Sequence, residues 1–585
     1  MTSQPPSETA PLLAEAESAR LGGNLEDAAA SYRRLLALEP NHAGGLNGLG
    51  LALHALGKPE EAIKCYVQSL RARPDQAGVL YNFGLSLKKL NRPDLACHAF
   101  RESIRLDPAG VPAMMALGQT RQGQGQVEEA VAVYRQALAV DPDHAEILAL
   151  LIYQLRQTCD WGDIAGLERR LLELVRRGAA DAPPFILLIL DSTPADQLAA
   201  ARAWSRRYDV AESARLPAIP LSARPNGRVR VGYLSADYHE HATAYLVAEM
   251  FEHHDRGRFE IFAYSSGPDD TGAMRQRLVK GVDQFVKIGG LSDQDAAAKI
   301  REHGIDILVD LKGYTKGTRA GILARRPAPV QASFLGYPGT SGAGFVDWLI
   351  ADPVVVPPEH RAHYSERLAL LPHCYQPNDG KRPIAEPPPG RADCGLPEEA
   401  FVFCCFNSTQ KITPEIFDIW VRLLHRVPDS VLWLFASNPW AEFNLRNRAV
   451  AAGIAADRLV FAHDLPLAKH LARYRLADLF LDTLPYTGHT TVSDALWTGL
   501  PAVTCAGATF AGLVAASLLG AVGLPELIAP DLAAYEALAE RLALTPGELA
   551  RLRETLARNR LSTPLFDSER YTRDLEALYL RMVQD

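Results

Sequence analysis

Residues 476–497, LADLFLDTLPYTGHTTVSDALW, bring hydroxyls, an imidazole and a carboxylate to the start of one helix. An apolar run ends in Asp482-Thr483, and a turn of Pro485, Tyr486, Thr487 and Gly488 follows. His489-Thr490-Thr491 then opens a helical pattern with Asp494 in its first turns. A helix start offers unpaired N–H groups and the positive end of the dipole, which suits a phosphate. An acidic residue one turn on could take ribose hydroxyls, as in other nucleotide folds. In outline this is a nucleoside-diphosphate site. An ordinary strand–turn–helix whose threonines only cap the helix fits the same residues.

Other reactive residues also fall just past apolar runs. Asn407 lies at the end of FVFCCFNS (401–408) and Lys411 follows it, where a lysine could place a point charge on a diphosphate or stand as a solvated surface residue. His470, in LPLAKHLARYRLAD, could stack on a base. DYHEHATAY puts His239 and His241 past VRVGYLSA (229–236), where a histidine could act as a base or orient a hydroxyl. The His-x-His spacing lacks a third ligand, so no metal is expected. LGYPGTSGAG (335–344) is a glycine-rich loop suited to close backbone approach, and KGYTKG (312–317) sets Tyr314, Thr315 and Lys316 at another run's end. Plain turns would explain both. Neither G-x-G-x-x-G nor a Walker pattern is present.

Elements to position these residues are legible. From 229 onward, apolar β-branched runs alternate with helical stretches: 229–236, 259–266, 305–314, 328–339 and 346–356, then 401–408, 430–437, 458–463, 476–483 and 500–507. Such alternation predicts parallel, doubly wound sheets. The Pro/Gly-rich stretch 376–396 reads as a linker between two Rossmann-like halves, with ligands expected in the cleft outside the strands' carboxyl ends. Upstream, Pro40, Pro74, Pro108 and Pro142 are spaced by 34, as are Ala28, Ala62, Ala96 and Ala130, and Tyr32, Tyr66, Phe100 and Tyr134. Gly50, Gly84 and Gly118 keep the same step. This is the tetratricopeptide period, an α superhelix of stacked helix pairs whose concave surface suits an extended peptide. The predicted domains are about four repeats over 1–150, degenerate helical repeats or an adaptor over 151–225, a first Rossmann-like domain over 226–385 and a second over 386–585. The Pro-rich segment 216–228 marks the boundary before the first.

Composition narrows the class. A net charge of −8 over 585 residues argues against a dedicated nucleic-acid or anionic-membrane surface. Eight scattered cysteines without a C-x-x-C pair predict reduced thiols and a cytoplasmic setting. MTSQPPSETAP lacks the basic and apolar parts of a signal peptide. The uncharged stretch 501–525 is long enough to span a bilayer, but its glycines and flanking prolines favour a buried strand, a turn and a buried helix.

The motifs VRVGYLSADYHEHATAYL, ILVDLKGYTKG, RPAPVQASFLGYPGTSG, FNSTQKITP and LDTLPYTGHTTVSDALWTGLP, behind a tetratricopeptide array, resemble the O-linked N-acetylglucosamine transferase family, including its bacterial SPINDLY-type members. The resemblance runs from about residue 15 to the end. It implies a GT-B fold and inverting, metal-independent transfer of N-acetylglucosamine from UDP-N-acetylglucosamine to Ser or Thr hydroxyls of intracellular proteins, with no cofactor. By motif match it assigns His241 to the active-site histidine, Lys411 to the diphosphate and His470 to the uracil. His489, Thr490 and Thr491 fall on phosphate-binding positions, Asp494 on the ribose-binding acid, and Leu335, Gly336 and Pro338 in the loop lining the sugar pocket, near Tyr314 and Thr315. Leu513 stands where many members carry Arg, Lys469 is out of register with the usual lysine, and Asn407-Ser408 replaces the frequent Asn-Gln. The same scaffold with another donor, such as GDP-fucose, and an inactive tetratricopeptide scaffold are the alternatives. The array implies a protein acceptor held along its groove. The sequence leaves the acceptor, the catalytic base and any homo-oligomer unspecified.

Overall fold

The computed structural model describes residues 9–179, 181–217, 227–436 and 438–584. The boundary expected at 216–228 falls mostly outside these residues. The chain divides into two compact units, residues 1–154 and 155–585.

The first unit is built from antiparallel helix pairs: α1 (Thr9–Leu21) with α2 (Leu25–Leu38), α3 (Ala43–Ala55) with α4 (Pro59–Ala72), α5 (Ala77–Lys89) with α6 (Pro93–Leu106), and α7 (Val111–Gly123) with α8 (Val127–Val140). The 34-residue repeat is physical. Ala28, Ala62, Ala96 and Ala130 are fully buried. A Cβ added at Gly50, Gly84 or Gly118 would lie 2.4, 2.5 and 2.3 Å from the ring of Tyr66, Phe100 and Tyr134, so each glycine makes room for an aromatic of its own repeat. Each periodic proline falls two residues past the end of a second helix, where it cannot continue the pattern.

Helix α9 (Ala145–Gln157) runs past residue 150, so the predicted boundary there falls inside a helix. Among the described residues three helices follow, α10 (Ile164–Arg176), α11 (Pro184–Leu187) and α12 (Pro194–Ser205), in the span read as degenerate repeats or an adaptor. This segment packs on both sheets that come after it. The Gln157 carbonyl accepts from Thr409 Oγ1 (2.7 Å) and Asn438 Nδ2 (2.9 Å), while Ser205 Oγ donates to the Gly342 carbonyl (3.3 Å).

The first sheet has seven parallel strands: β1 (Val229–Ser235), β2 (Phe259–Ser265), β3 (Gln284–Lys287), β4 (Ile307–Asp310), β5 (Val330–Ser333), β6 (Trp348–Ala351) and β7 (Arg367–Leu370), in the order β3-β2-β1-β4-β5-β6-β7. Helices α13 (Ala242–His253), α14 (Ala273–Lys280), α15 (Asp293–Glu302) and α16 (Ala320–Ala324) make its early crossovers. The second sheet has six: β8 (Phe401–Cys405), β9 (Ser430–Phe435), β10 (Leu459–Ala462), β11 (Leu479–Leu481), β12 (Ala502–Cys505) and β13 (Ile528–Ala529), in the order β10-β9-β8-β11-β12-β13. Between and after these strands run α17 (Pro414–Arg426), α18 (Pro439–Ala451), α19 (Leu467–Tyr474), α20 (Thr490–Thr498), α21 (Phe510–Ala521), α22 (Leu532–Leu544), α23 (Pro546–Asn559) and α24 (Ser568–Met582). These are the two Rossmann-like sheets expected of a GT-B fold. In each, strand order reverses beside the first strand, β1 next to β4 and β8 next to β11, which opens a crevice at the carboxyl ends.

Three features depart from the expected layout. Strands β3, β7 and β13 carry no clear signal in the sequence because each lies at a sheet edge and is short, and β3 and β7 are only partly buried. The stretch read as a linker, 376–396, begins as a buried tie: Gln376, Asn378, Asp379 and Arg382 are all nearly inaccessible. The second domain does not hold all of 386–585, because α24 crosses back to the first sheet. There Tyr579 and Tyr233 share a hydroxyl hydrogen bond (2.9 Å) and Glu576 meets His254 Nδ1 (2.9 Å). The apolar stretch 501–525 is strand β12 and helix α21, and among the described residues no helix is long and apolar enough to cross a membrane.

Candidate active site

The site grows from Asp482, at the end of β11. Its buried carboxylate accepts from Gly488 N (2.6 Å), Thr483 N (2.8 Å), Thr504 Oγ1 (2.7 Å) and Asn407 Nδ2 (2.9 Å). These bonds fold the Pro485–Gly488 turn back on the strand and aim α20 at the crevice. A Cβ at Gly488 would lie 2.7 Å from Thr491 Oγ1 and 2.9 Å from Asn407 Oδ1, so the closure needs glycine. His489 is the N-cap of α20, and among the described residues no side chain caps the helix, which leaves its first-turn N–H groups for a ligand. The threonines therefore do not simply cap it: Thr491 Oγ1 donates instead to Asn407 Oδ1.

Lys411 approaches the same turn from the short helical turn after β8. Its Nζ donates to the Thr487 carbonyl (2.9 Å). Burial lowers its pKa to about 8 against the pull of Asp482. His489 Nε2 lies 3.2 Å from the Ala511 carbonyl, and burial together with Lys411 holds the ring well below the ordinary imidazole value, so it is neutral.

The opposite wall comes from the first sheet. His241 follows β1 and caps α13, its Nδ1 accepting from Thr243 N (3.2 Å). Leu335 follows β5 with φ of 68°, and a Cβ on Gly336 would sit 2.0 Å from the Leu311 carbonyl. The backbone thus passes too close to the β4 turn for any residue but glycine. Glu366 holds the rest of this loop through Thr340 Oγ1 (2.6 Å) and the N and Oγ of Ser341.

His241, Leu335, Gly336, Asn407, Lys411, His489, Thr490 and Thr491 line one cavity of about 280 Å³. Among the described residues, no carboxylate lines it.

The glycosyl transferase family 41 pattern matches residues 216–386 and 388–575, and tetratricopeptide patterns match 13–77, 77–109 and 118–151. The chain belongs to glycosyl transferase family 41. It is 35% identical over 453 residues to the probable UDP-N-acetylglucosamine–peptide N-acetylglucosaminyltransferase SEC of Arabidopsis thaliana, covering 74% of this chain and 46% of that one. It is 29% identical over 548 residues to the UDP-N-acetylglucosamine–peptide N-acetylglucosaminyltransferase of Caenorhabditis elegans, covering 72% and 48%. The chain spans about half the length of these curated relatives. A solved O-GlcNAc transferase mutant of Thermobaculum terrenum superposes with a TM-score of 0.67 at 29% identity, covering 100% of this chain and 99% of that one.

Five residues that the family 41 motifs singled out do not line the cavity. Pro338 is buried in the glycine loop. Tyr314 lies under that loop, its hydroxyl donating to the Ser341 carbonyl (2.7 Å), and Thr315 Oγ1 donates to the Lys312 carbonyl (2.9 Å). His470 packs between Phe406 and Tyr474 and contacts Arg473, and burial lowers its pKa to about 3. Asp494 is 4% exposed and ion-paired with Arg382, yet burial still raises its pKa to about 6.

Conversely, the family 41 cavity includes Thr243, Leu246, Tyr375, Gln376, Ser408 and Tyr486, none of which was singled out as a binding residue. Tyr486 was visible only as part of a turn, and Gln376 lay in a stretch whose composition signals a linker.

Proposed function

We propose that this family 41 chain transfers N-acetylglucosamine from UDP-N-acetylglucosamine to Ser or Thr hydroxyls of proteins, with inversion. The observation that carries this reading is Lys411, a partly buried ammonium within hydrogen-bond reach of the turn that leads into the uncapped start of α20. Inverting transfer needs positive charge where the diphosphate leaves and an in-line hydroxyl on the other face. Lys411 with the first N–H groups of α20 meets the first need using protein groups alone, so the reading includes no metal ion and no cofactor. His241 and the Leu335–Gly336 backbone stand on the opposite wall, where sugar and acceptor meet. His470 is assigned to the uracil and Asp494 to the ribose, each shared with the arginine it already holds. The tetratricopeptide repeats hold the protein acceptor along their groove, and free thiols at all eight cysteines suit a cytoplasmic setting.

The test is a thermal-shift panel of UDP, GDP, UDP-N-acetylglucosamine and GDP-fucose, followed by transfer to protein read by mass spectrometry. Stabilisation by UDP and its N-acetylglucosamine ester, with transfer of the same sugar, is expected. Stabilisation by GDP-fucose instead would assign the scaffold to another donor.

A further inference from the structure

Behind His241 lies a buried ion pair that neither the diphosphate nor the sugar wall uses. Lys312, in the turn after β4, donates from Nζ to Asp237 Oδ2 at 2.6 Å, and the two residues are 5% and 8% exposed. The turn is held from below by Asp310, whose carboxylate accepts from Lys312 N (2.9 Å) and Gly313 N (3.0 Å). Asp237 Oδ2 is also 3.6 Å from His241 Nδ1. That nitrogen accepts the Thr243 N–H, so it holds a lone pair, and in the neutral ring the proton sits on Nε2.

The arrangement is a competition for one carboxylate. If Asp237 were free, it would draw a proton onto His241 Nδ1, giving either the other tautomer or an imidazolium. Lys312 satisfies Asp237 instead, with an ammonium that a strand-end turn fixes in place. We propose that Lys312, acting through Asp237, keeps the proton of His241 on Nε2, so that the ring presents a hydrogen-bond donor to the acceptor side of the cavity and not a base. Lys312 and Asp237 are thus positioning residues for the transfer proposed above, and the inference rests on that reading. Other charges around the ring act in the same sense or stand further off. His239 lies 5.6 Å away ring to ring, Asp310 sits behind Lys312, and Lys411 and His489 are across the cavity. Burial lowers the pKa of His241, Asp237 opposes this, and Lys312 and His239 add to it.

The decisive measurement is ¹⁵N NMR of the histidine-labelled full chain over a pH series, with His241→Gln to assign the signal. In the wild type the ring nitrogens should report the Nε2–H tautomer. Lys312→Met should move them towards Nδ1–H or the imidazolium and raise the pH at which the ring takes up its second proton by about one unit, read from the same nitrogen signals across a pH series. Lys312→Arg, which keeps the ion pair, should restore the wild-type signals. Asp237→Asn, with Lys312 still present, should move that pH down, which tests the inference even if Lys312→Met does not fold. A wild-type Nδ1–H ring would overturn it, as would nitrogen signals that ignore both substitutions. The NMR arm needs no sugar nucleotide. A ring that responds without turnover on any donor therefore counts against the transfer reading alone.

Discussion

The ammonium of Lys411 lies 3.7 Å from the centroid of the Tyr486 ring, which a positive charge favours electrostatically. The lysine is thereby held at the turn before any anion arrives, charged at neutral pH but with a pKa of only about 8.

That value gives a pH dependence. An anion binds the protonated lysine, so affinity for UDP should be level from pH 6.5 to 8 and should fall above it, by up to about tenfold per unit as the ammonium is lost. Calorimetric titration of UDP between pH 6.5 and 9.5 measures this. Lys411→Met should remove the dependence and lower transfer by about 10²–10³-fold. A decline that persists in the variant would assign it to another group.

Gly336 is a second sensitive point. Any Cβ there meets the Leu311 carbonyl, so Gly336→Ala must displace the loop from the β4 turn. Loss of at least about 10²-fold in kcat/KM is expected, because small misplacements of reacting groups cost that much. UDP affinity should change little, since Lys411 and α20 are on the opposite wall. Equal loss of both would point to general unfolding, which circular dichroism would show.

Acid should loosen the join between α24 and the first sheet. His254 is fully buried, and burial holds it below the ordinary imidazole value against the opposing effect of Glu576. The unfolded chain takes up a proton near pH 6.5 that the folded chain refuses, so stability falls as pH drops below about 6.5, by up to about 1.4 kcal/mol per unit. Urea denaturation at a series of pH values should show a shallower slope for His254→Gln.

In the repeats, Gly84→Val drives two methyl groups at the ring of Phe100, where even a Cβ is too close. A cost of about 1–3 kcal/mol is expected within the helix pairs. Hydrogen exchange should locate it in α5 and α6. Transfer to a protein acceptor should fall while UDP affinity holds.

Much of this arrangement was readable from the chain. The 34-residue period is legible because each repeat needs the same alanine, glycine and aromatic in the same place. The central strands are legible because burial on both faces makes them apolar throughout. GHTT and Lys411 could be found because local residues build that wall. The pairing of Asp237 with Lys312 is not legible in the chain: 75 residues separate them, and only the parallel register of β1 beside β4 brings their strand ends together. Asp494 shows a second gap. Its spacing suits a ribose, but nothing in the local pattern announces Arg382, which the chain delivers from a stretch whose composition signals a linker.

The return of α24 means that the polypeptide passes between the two halves twice, and the two passes are stitched together. Asn378 Nδ2 reaches the Leu565 carbonyl at 3.3 Å, and Ser568 Oγ reaches the Asn378 carbonyl at 3.0 Å. With the adaptor bonded to both sheets as well, this doubled passage ties the two halves into one compact unit. A backbone break in the exposed stretch Glu386–Pro388 would therefore leave two fragments that stay together as one piece.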